Sequence, residues 1–198
     1  MKNKLKFFLT IFYLFFFTIN AFSEEIKFDD IKFEASEIEY FNERNLIKAF
    51  GKVKIFLDDK TEISSDEFTY DRSKYLLTIE GDVKIEDYQN DLYITSNKIN
   101  YFKDKDLFNS DTYTNIIFKK KYFFNLTSFT YDRKKTILFS ETSSEIKDTL
   151  KNNIKMNEFK FEIVNNLIKG KNVNFTDRDN NIGKLKNAII NVTDNSII

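Results

Sequence analysis

The feature that most constrains this chain is a repeat. Tyr40, Tyr70, Tyr101, Tyr131 and Phe161 follow one another at intervals of 30, 31, 30 and 30 residues. Each closes a similar phrase: ASEIEY, SSDEFTY, TSNKINY, LTSFTY and MNEFKF. A second phrase follows about eleven residues later, as AFGKVKI around Gly51, IEGDVKI around Gly81 and IKGKNVNF around Gly170. Ser110 and Ser140 stand where the other copies have Gly, and a weaker copy begins near Ile182 and ends in NAIINV. Self-similarity at a fixed period means one supersecondary unit repeated, each burying its apolar face against its neighbours.

Each unit reads as two strands. Ile47, Ala49, Gly51, Val53 and Ile55 fall on one face, with Lys48, Lys52 and Lys54 on the other. Leu77, Ile79, Gly81, Val83 and Ile85 repeat the alternation. Period two is the mark of a half-buried strand. The first phrase slips phase: Phe33 and Ala35 have one parity, Ile38 and Tyr40 the other. The slip recurs as Ile63, Ser65, then Phe68, Tyr70, and as Ile94, Ser96, then Ile99, Tyr101. One inserted residue that returns apolar side chains to the inner face is a β-bulge; a corner or a short loop is the alternative. The connections around 42–45, 71–74, 104–106, 132–135 and 177–181 are rich in Asn, Asp and Lys, in a chain with 4 Gly and no Pro. Asn and Asp tolerate left-handed backbone and bond their own turn. The helical pattern is weak, its best stretch being 143–150. The expected product is an all-β chain of about ten to twelve antiparallel strands.

Residues 1–23 stand apart. Lys2, Lys4 and Lys6 precede the uncharged run FFLTIFYLFFFTI, and Ala21 and Ser23 occupy the −3 and −1 positions of a cut before Glu24. This is the layout of a secretory signal peptide. The alternative is a retained anchor, but the run is shorter than the roughly 20 residues a spanning helix needs. The domain boundaries read as 1–23, signal peptide, and 24–198, repeat domain. Removal of the leader takes away 3 Lys and no acid, so 31 basic residues become 28 against 31 acidic ones. The exported domain is mildly acidic.

The chain has no His and no Cys. This excludes Ser-His-Asp and Cys-His mechanisms, disulfides and thiolate metal sites. Zero formal net charge argues against a nucleic-acid partner, which needs a basic face. Glu24-Glu25, Asp29-Asp30 and Asp58-Asp59 are read as solvated strand ends rather than acid–base pairs. Asp177-x-Asp179-x-Asn181 resembles the start of a calcium loop, but the sixth and twelfth positions hold Ile182 and Ala188 in place of Gly and Glu. No cofactor or metal is expected. Lys119-Lys120-Lys121 reads as a charged turn or edge.

The inner face is more informative. Ile38, Tyr40, Ala49, Val53, Ile55, Phe68, Tyr70, Ile79, Val83, Ile85, Ile99, Phe129 and Phe159 all project inward on this reading. They make either an ordinary sandwich core or the lining of an apolar trough suited to acyl chains. A stack of hairpins also leaves two open strand edges, which are templates for pairing with another chain.

The phrases xASEIEY, NLIKAFGKVKI and EISSDEFTYDRSKYLLTIEGDVKI resemble the OstA-like domain of the lipopolysaccharide transport family, which includes LptA, LptC and the N-terminal domain of LptD. The family motif, an A-D/E-x-(apolar)-x-Y strand followed by A-x-G-x-V-x-(I/L), maps onto Ala35 to Tyr40 with Ala49 to Ile55, and onto Ser65 to Tyr70 with Ile79 to Ile85. The resemblance covers residues 33–86 best. It implies an open, twisted antiparallel β-jellyroll in the periplasm of a Gram-negative bacterium, associated with the outer membrane. It implies no enzymatic activity. It implies that lipopolysaccharide acyl chains lie in the trough, that other Lpt jellyrolls join edge to edge, and that the cargo passes to the outer-membrane translocon. The length suits an LptA-like bridge or a split LptD. A secreted β-solenoid or adhesin, or a general periplasmic lipid-binding chaperone, are the alternatives.

Overall fold

The computed structural model describes residues 24–28, 31–193 and 196–197. The signal-peptide segment and Asp29-Asp30 lie outside the described residues.

Among the described residues, seventeen strands form a single sheet. They are β1 (Glu24–Phe28), β2 (Ile31–Ala35), β3 (Glu37–Phe41), β4 (Leu46–Asp58), β5 (Thr61–Asp71), β6 (Leu76–Asp87), β7 (Leu92–Phe102), β8 (Leu107–Ser110) and β9 (Thr114–Phe118). Then come β10 (Tyr122–Leu126), β11 (Phe129–Asp132), β12 (Ile137–Ser140), β13 (Ser144–Asp148), β14 (Asn153–Glu162), β15 (Leu167–Thr176), β16 (Ile182–Asn191) and β17 (Ser196–Ile197). All the pairings are antiparallel, and they run as a meander in chain order. Where a strand is broken, its two pieces pair with the same neighbour: β2 and β3 with β4, and β12 and β13 with β14. These breaks account for a strand count above the ten to twelve expected. The stretch 143–150, the best helical candidate by sequence, is instead β13 and a turn. Ser144 and Ile146 are buried there while Glu145 and Lys147 face out, which is a strand's period.

The passes from β2–β3 through β15 bend near their middles, and the phase slips seen in the sequence are the bends. Register shifts fall between Phe50 and Val53, Ser64 and Glu67, and Glu80 and Val83. Gly51 and Lys52 take φ of 72° and 53°, Gly81 and Asp82 take 77° and 43°. Two successive left-handed residues turn β4 and β6 without ending them. At Ser110 and Ser140, where the repeat lacks Gly, the strand stops instead. Each serine Oγ accepts a hydrogen bond from the backbone N–H two residues on, at 3.1 Å from Thr112 and 3.2 Å from Thr142. This local turn competes with the ladder.

The bends divide the sheet into two arms. Arm A holds the halves of strands next to the turns at 42–45, 71–75, 102–106, 132–136 and 162–166. Arm B holds the halves next to the turns at 58–61, 87–91, 118–121, 148–152 and 176–181. The 30-residue step is imposed at the turns of arm A. Each contains one residue with φ between 51° and 54°: Asn45, Tyr75, Asp106, Thr136 and Asn166. The carbonyl of each accepts an N–H from the next turn, from Arg72, Lys103, Arg133, Ile163 and Val192, at 2.9 to 3.1 Å.

The arms fold onto each other over one continuous core that runs from Ile31 to Val192. Aromatic contacts show how they cross. Phe33 in arm B meets Phe68 in arm A, and Phe118 in arm B meets Phe161 in arm A, with centroids 5.0 and 4.9 Å apart. Phe124 in arm B packs between Phe159 and Phe161, 5.6 Å from each. A half-strand of arm B therefore faces arm A a few passes further along the chain. That offset is what sheet twist produces when a long meander is folded over.

Candidate functional site

Eleven of the thirteen residues expected to line the interior are fully buried in this core: Ala49, Val53, Ile55, Phe68, Tyr70, Ile79, Val83, Ile85, Ile99, Phe129 and Phe159. They lie on the facing inner sides of both arms, because the strand period and the bends together return these apolar residues to the inside. Ile38 is half-buried and packs against the cluster. Tyr40 is different, at 47% exposed, because β3 pairs with β4 alone among the described residues and leaves its side chains at the sheet's edge.

Opposite the bends, the two rows of turns meet along a polar seam. Arg133, in a turn of arm A, reaches a turn of arm B 75 residues earlier. Its Nη2 donates to Asp58 Oδ2 at 2.6 Å and to Thr61 Oγ1 at 2.9 Å. Its Nη1 donates to Asp106 Oδ1 at 2.8 Å, and the Tyr101 hydroxyl donates to the same oxygen at 3.0 Å. Beside it, Tyr131 Oη donates to Asp87 Oδ2 at 2.6 Å and accepts from Asn90 Nδ2 at 2.9 Å. Further along, Lys119 Nζ donates to Asn166 Oδ1 at 3.0 Å, and Tyr122 Oη donates to the Val192 carbonyl at 2.6 Å.

The electrostatics of the seam follow from burial and pairing. Burial pushes the Asp58 carboxyl up, but the hydrogen bonds from Arg133 and the Lys60 amide outweigh it and hold Asp58 below the usual carboxylate range. Arg133 is pushed up by its bond to Asp58 and by the charges of Asp106 and Asp58, which outweigh its own burial. Tyr131 is raised by burial and then by its bond to Asp87. Tyr101 is raised by burial and then by the charge of Asp106 and its bond to that carboxylate. Both phenols stay protonated and act as donors.

Sequence reasoning missed the seam. Asp58 was read as a solvated strand end, yet it is the acceptor for Arg133. The Arg133 turn, DRKK, looks like its repeat mate DRSK at 71–74, so no local signal separates the two arginines. The lysine run was read as a charged turn, and Lys119–Lys121 is the three-residue turn between β9 and β10. The Asp177 turn is held by its own carboxylate, which accepts from the Asp179 and Asn181 amides at 2.9 and 2.8 Å.

The seam cluster joins charges and phenols in pairs that satisfy one another, and the wall behind it is hydrocarbon. This defines a class: a folded antiparallel sheet whose two arms enclose an apolar interior. Residues 20–163 match the family described as OstA-like protein, and the chain belongs to that family. Among solved structures it is similar to LptH from Pseudomonas aeruginosa, described as the LptA-homologous periplasmic component of the conserved lipopolysaccharide transport device. The identity is 16% and the TM-score 0.49, over 55% of this chain and 79% of that one. No curated protein matches the chain.

Proposed function

We propose that this chain is a non-enzymatic periplasmic carrier of lipopolysaccharide. It shields acyl chains between its two arms and joins other jellyrolls of the transport system edge to edge. The observation that carries the reading is the uninterrupted apolar interior, in a chain of the OstA-like family whose N-terminal sequence has the layout of a signal peptide. An acyl chain gains about 25 cal/mol per Å² of apolar surface removed from water. A lining that repeats every two strands offers a series of similar sites, so a lipid moves along it without falling into one deep trap. Ile38, Phe68, Phe129, Phe159 and the aliphatic residues between them are the proposed contacts.

Two strand edges support the second half of the reading. Among the described residues, β3 pairs on one side only, and β16 is covered on its outer side only at Ile190 and Asn191 by β17. Unpaired edges accept a strand from another chain. A contact between two different edges is heterologous, and it builds a row rather than a closed dimer. The outer-membrane translocon is the proposed receiver at one end of that row.

The test is a photoreactive phenylalanine analogue at Phe68 or Phe129 in living cells. Lipopolysaccharide adducts are expected. Adducts to protein alone reject the lipid reading, and adducts to phospholipid alone favour a general lipid chaperone.

A further inference from the structure

We infer that the seam between the two rows of turns is the lateral entrance to the interior and that Arg133 is its latch. The inference rests on the carrier reading above. The interior as it stands has no room for an acyl chain, since Phe108, Phe124, Leu126, Leu138 and Phe161 are all completely buried and Phe124 stacks on Phe161 with centroids 5.6 Å apart. A lipid therefore enters only if the arms part. The bends on one side are continuous backbone and act as the hinge. On the other side the arms are joined by side chains: Arg133 to Asp58 and Thr61, Tyr131 to Asp87, Lys119 to Asn166, and Tyr122 to Val192. None of these bonds belongs to a strand ladder, so the seam opens without unpairing any strand.

The contacts that hold the arms differ in kind. Apolar packing across the interior is non-directional and is remade around a lipid. The seam bonds are directional, and four of the five involve a charged group, which makes them the stronger kind. Arg133 has the largest share, because one guanidinium holds a carboxylate of its own row and a carboxylate and a hydroxyl of the other. The seam ends at a cleft of about 170 Å³ where Tyr122, Ile154, Phe175 and Ile190 sit beside Asp148 and Asp177.

The absence of cysteine makes the test clean. Lys60→Cys and Lys134→Cys place thiols on exposed turns either side of the latch, to be joined by short reducible linkers of graded length. The bridged chain is expected to lose at least tenfold in affinity for fluorescent lipopolysaccharide and to recover it on reduction. Single-cysteine variants treated alike are expected to bind as wild type does. A bridged chain that binds as well as the reduced one overturns the inference. A second arm needs no lipid. Arg133→Gln and Arg133→Lys are expected to raise amide exchange at 58–61 and 132–136, while the middle of β5 and β6 stays protected. Unchanged exchange at those turns, or a rise spread evenly over all strands, overturns the latch. If wild type binds no lipopolysaccharide, the carrier reading falls, and the exchange result still decides the latch.

Discussion

Phe33 and Phe68 meet edge to face from opposite arms, with centroids 5.0 Å and planes 83° apart. Both rings are buried, so the pair ties arm B of the β2–β3 pass to arm A two passes later. Deleting a buried ring leaves a cavity as well as losing transfer energy, at about 3–5 kcal/mol for Phe→Ala. Phe68→Ala is expected to lower stability by that amount in a denaturant titration, with Tyr40→Ala within about 0.5 kcal/mol of wild type because its ring is exposed. Equal losses for the two would mean that the arms are not packed together in solution.

Backbone conformation gives a pair of substitutions with opposite signs. Gly81 has φ of 77°, and a Cβ there would collide with the Asp66 side chain. Gly81→Ala is expected to destabilise by about 1–3 kcal/mol. Lys119 and Lys120 take φ of 50° and 51° as the central pair of a β-turn closed by the Lys121 N–H on the Phe118 carbonyl at 3.0 Å, and Gly is strongly preferred at the second of those positions. Lys120→Gly is expected to raise stability by about 0.4–1 kcal/mol. Thermal or denaturant midpoints read both, and a stabilising Gly81→Ala would refute the bend geometry.

The pitch of the fold was legible because Tyr70, Tyr101 and Tyr131 record where each strand leaves its bend. The bends were legible as phase slips, since a one-residue insertion must flip every later side chain unless it is absorbed locally. What could not be read is the offset between the arms. Phe118 meets Phe161 only because twist accumulates over several strands, and no local pattern encodes that sum. Arg133 stayed hidden for the same reason, as Arg72 has nearly the same neighbours in sequence and a different place along the fold. The weak helical candidate at 143–150 is a strand and a turn because a short polar stretch carries little period, and pairing with β10 and β14 decided it.

Acid is expected to weaken the fold, and neutral pH changes are not. Burial pushes Glu145 up, but hydrogen bonds from Lys147, Asn125 and Asn153 bring it down to about 2. Glu162 is held at about 2 by hydrogen bonds from Lys169, Asn165 and Lys160. Asp58 lies below the usual range as well. A carboxylate with a depressed folded pKa contributes stability that is present above its unfolded value, near 4, and is lost as pH falls through the folded value. Denaturant midpoints should therefore hold level from about pH 5 to 8, where a chain without His has no side chain of ordinary pKa to titrate. They should fall between about pH 4.5 and 2. Glu162→Gln should flatten part of that fall, and an equally steep fall in the variant would remove Glu162 from the account.

The last strand invites a test of assembly. Along β16 the outer backbone edge from Ile182 to Ile189 has no partner among the described residues, and the strand exposes Ile182, Leu185 and Ile189, the first at 73%. An edge that is unpaired and apolar is a template for another chain, and charge on such an edge is how sheet proteins prevent pairing. Opposite it, β3 offers Glu37 to Phe41 with one free side and exposed Tyr40 and Phe41. Because the two free edges differ, association between copies should be head to tail and should grow with concentration rather than stop at a dimer. Sedimentation velocity over a range of concentrations should show a rising weight-average mass for wild type. Ile182→Lys with Ile189→Lys should hold the chain monomeric while leaving its stability within about 0.5 kcal/mol, since both side chains already face water. A wild-type chain that stays monomeric at every concentration would leave these edges to a different jellyroll. A double variant that still assembles would place the contact elsewhere on the molecule.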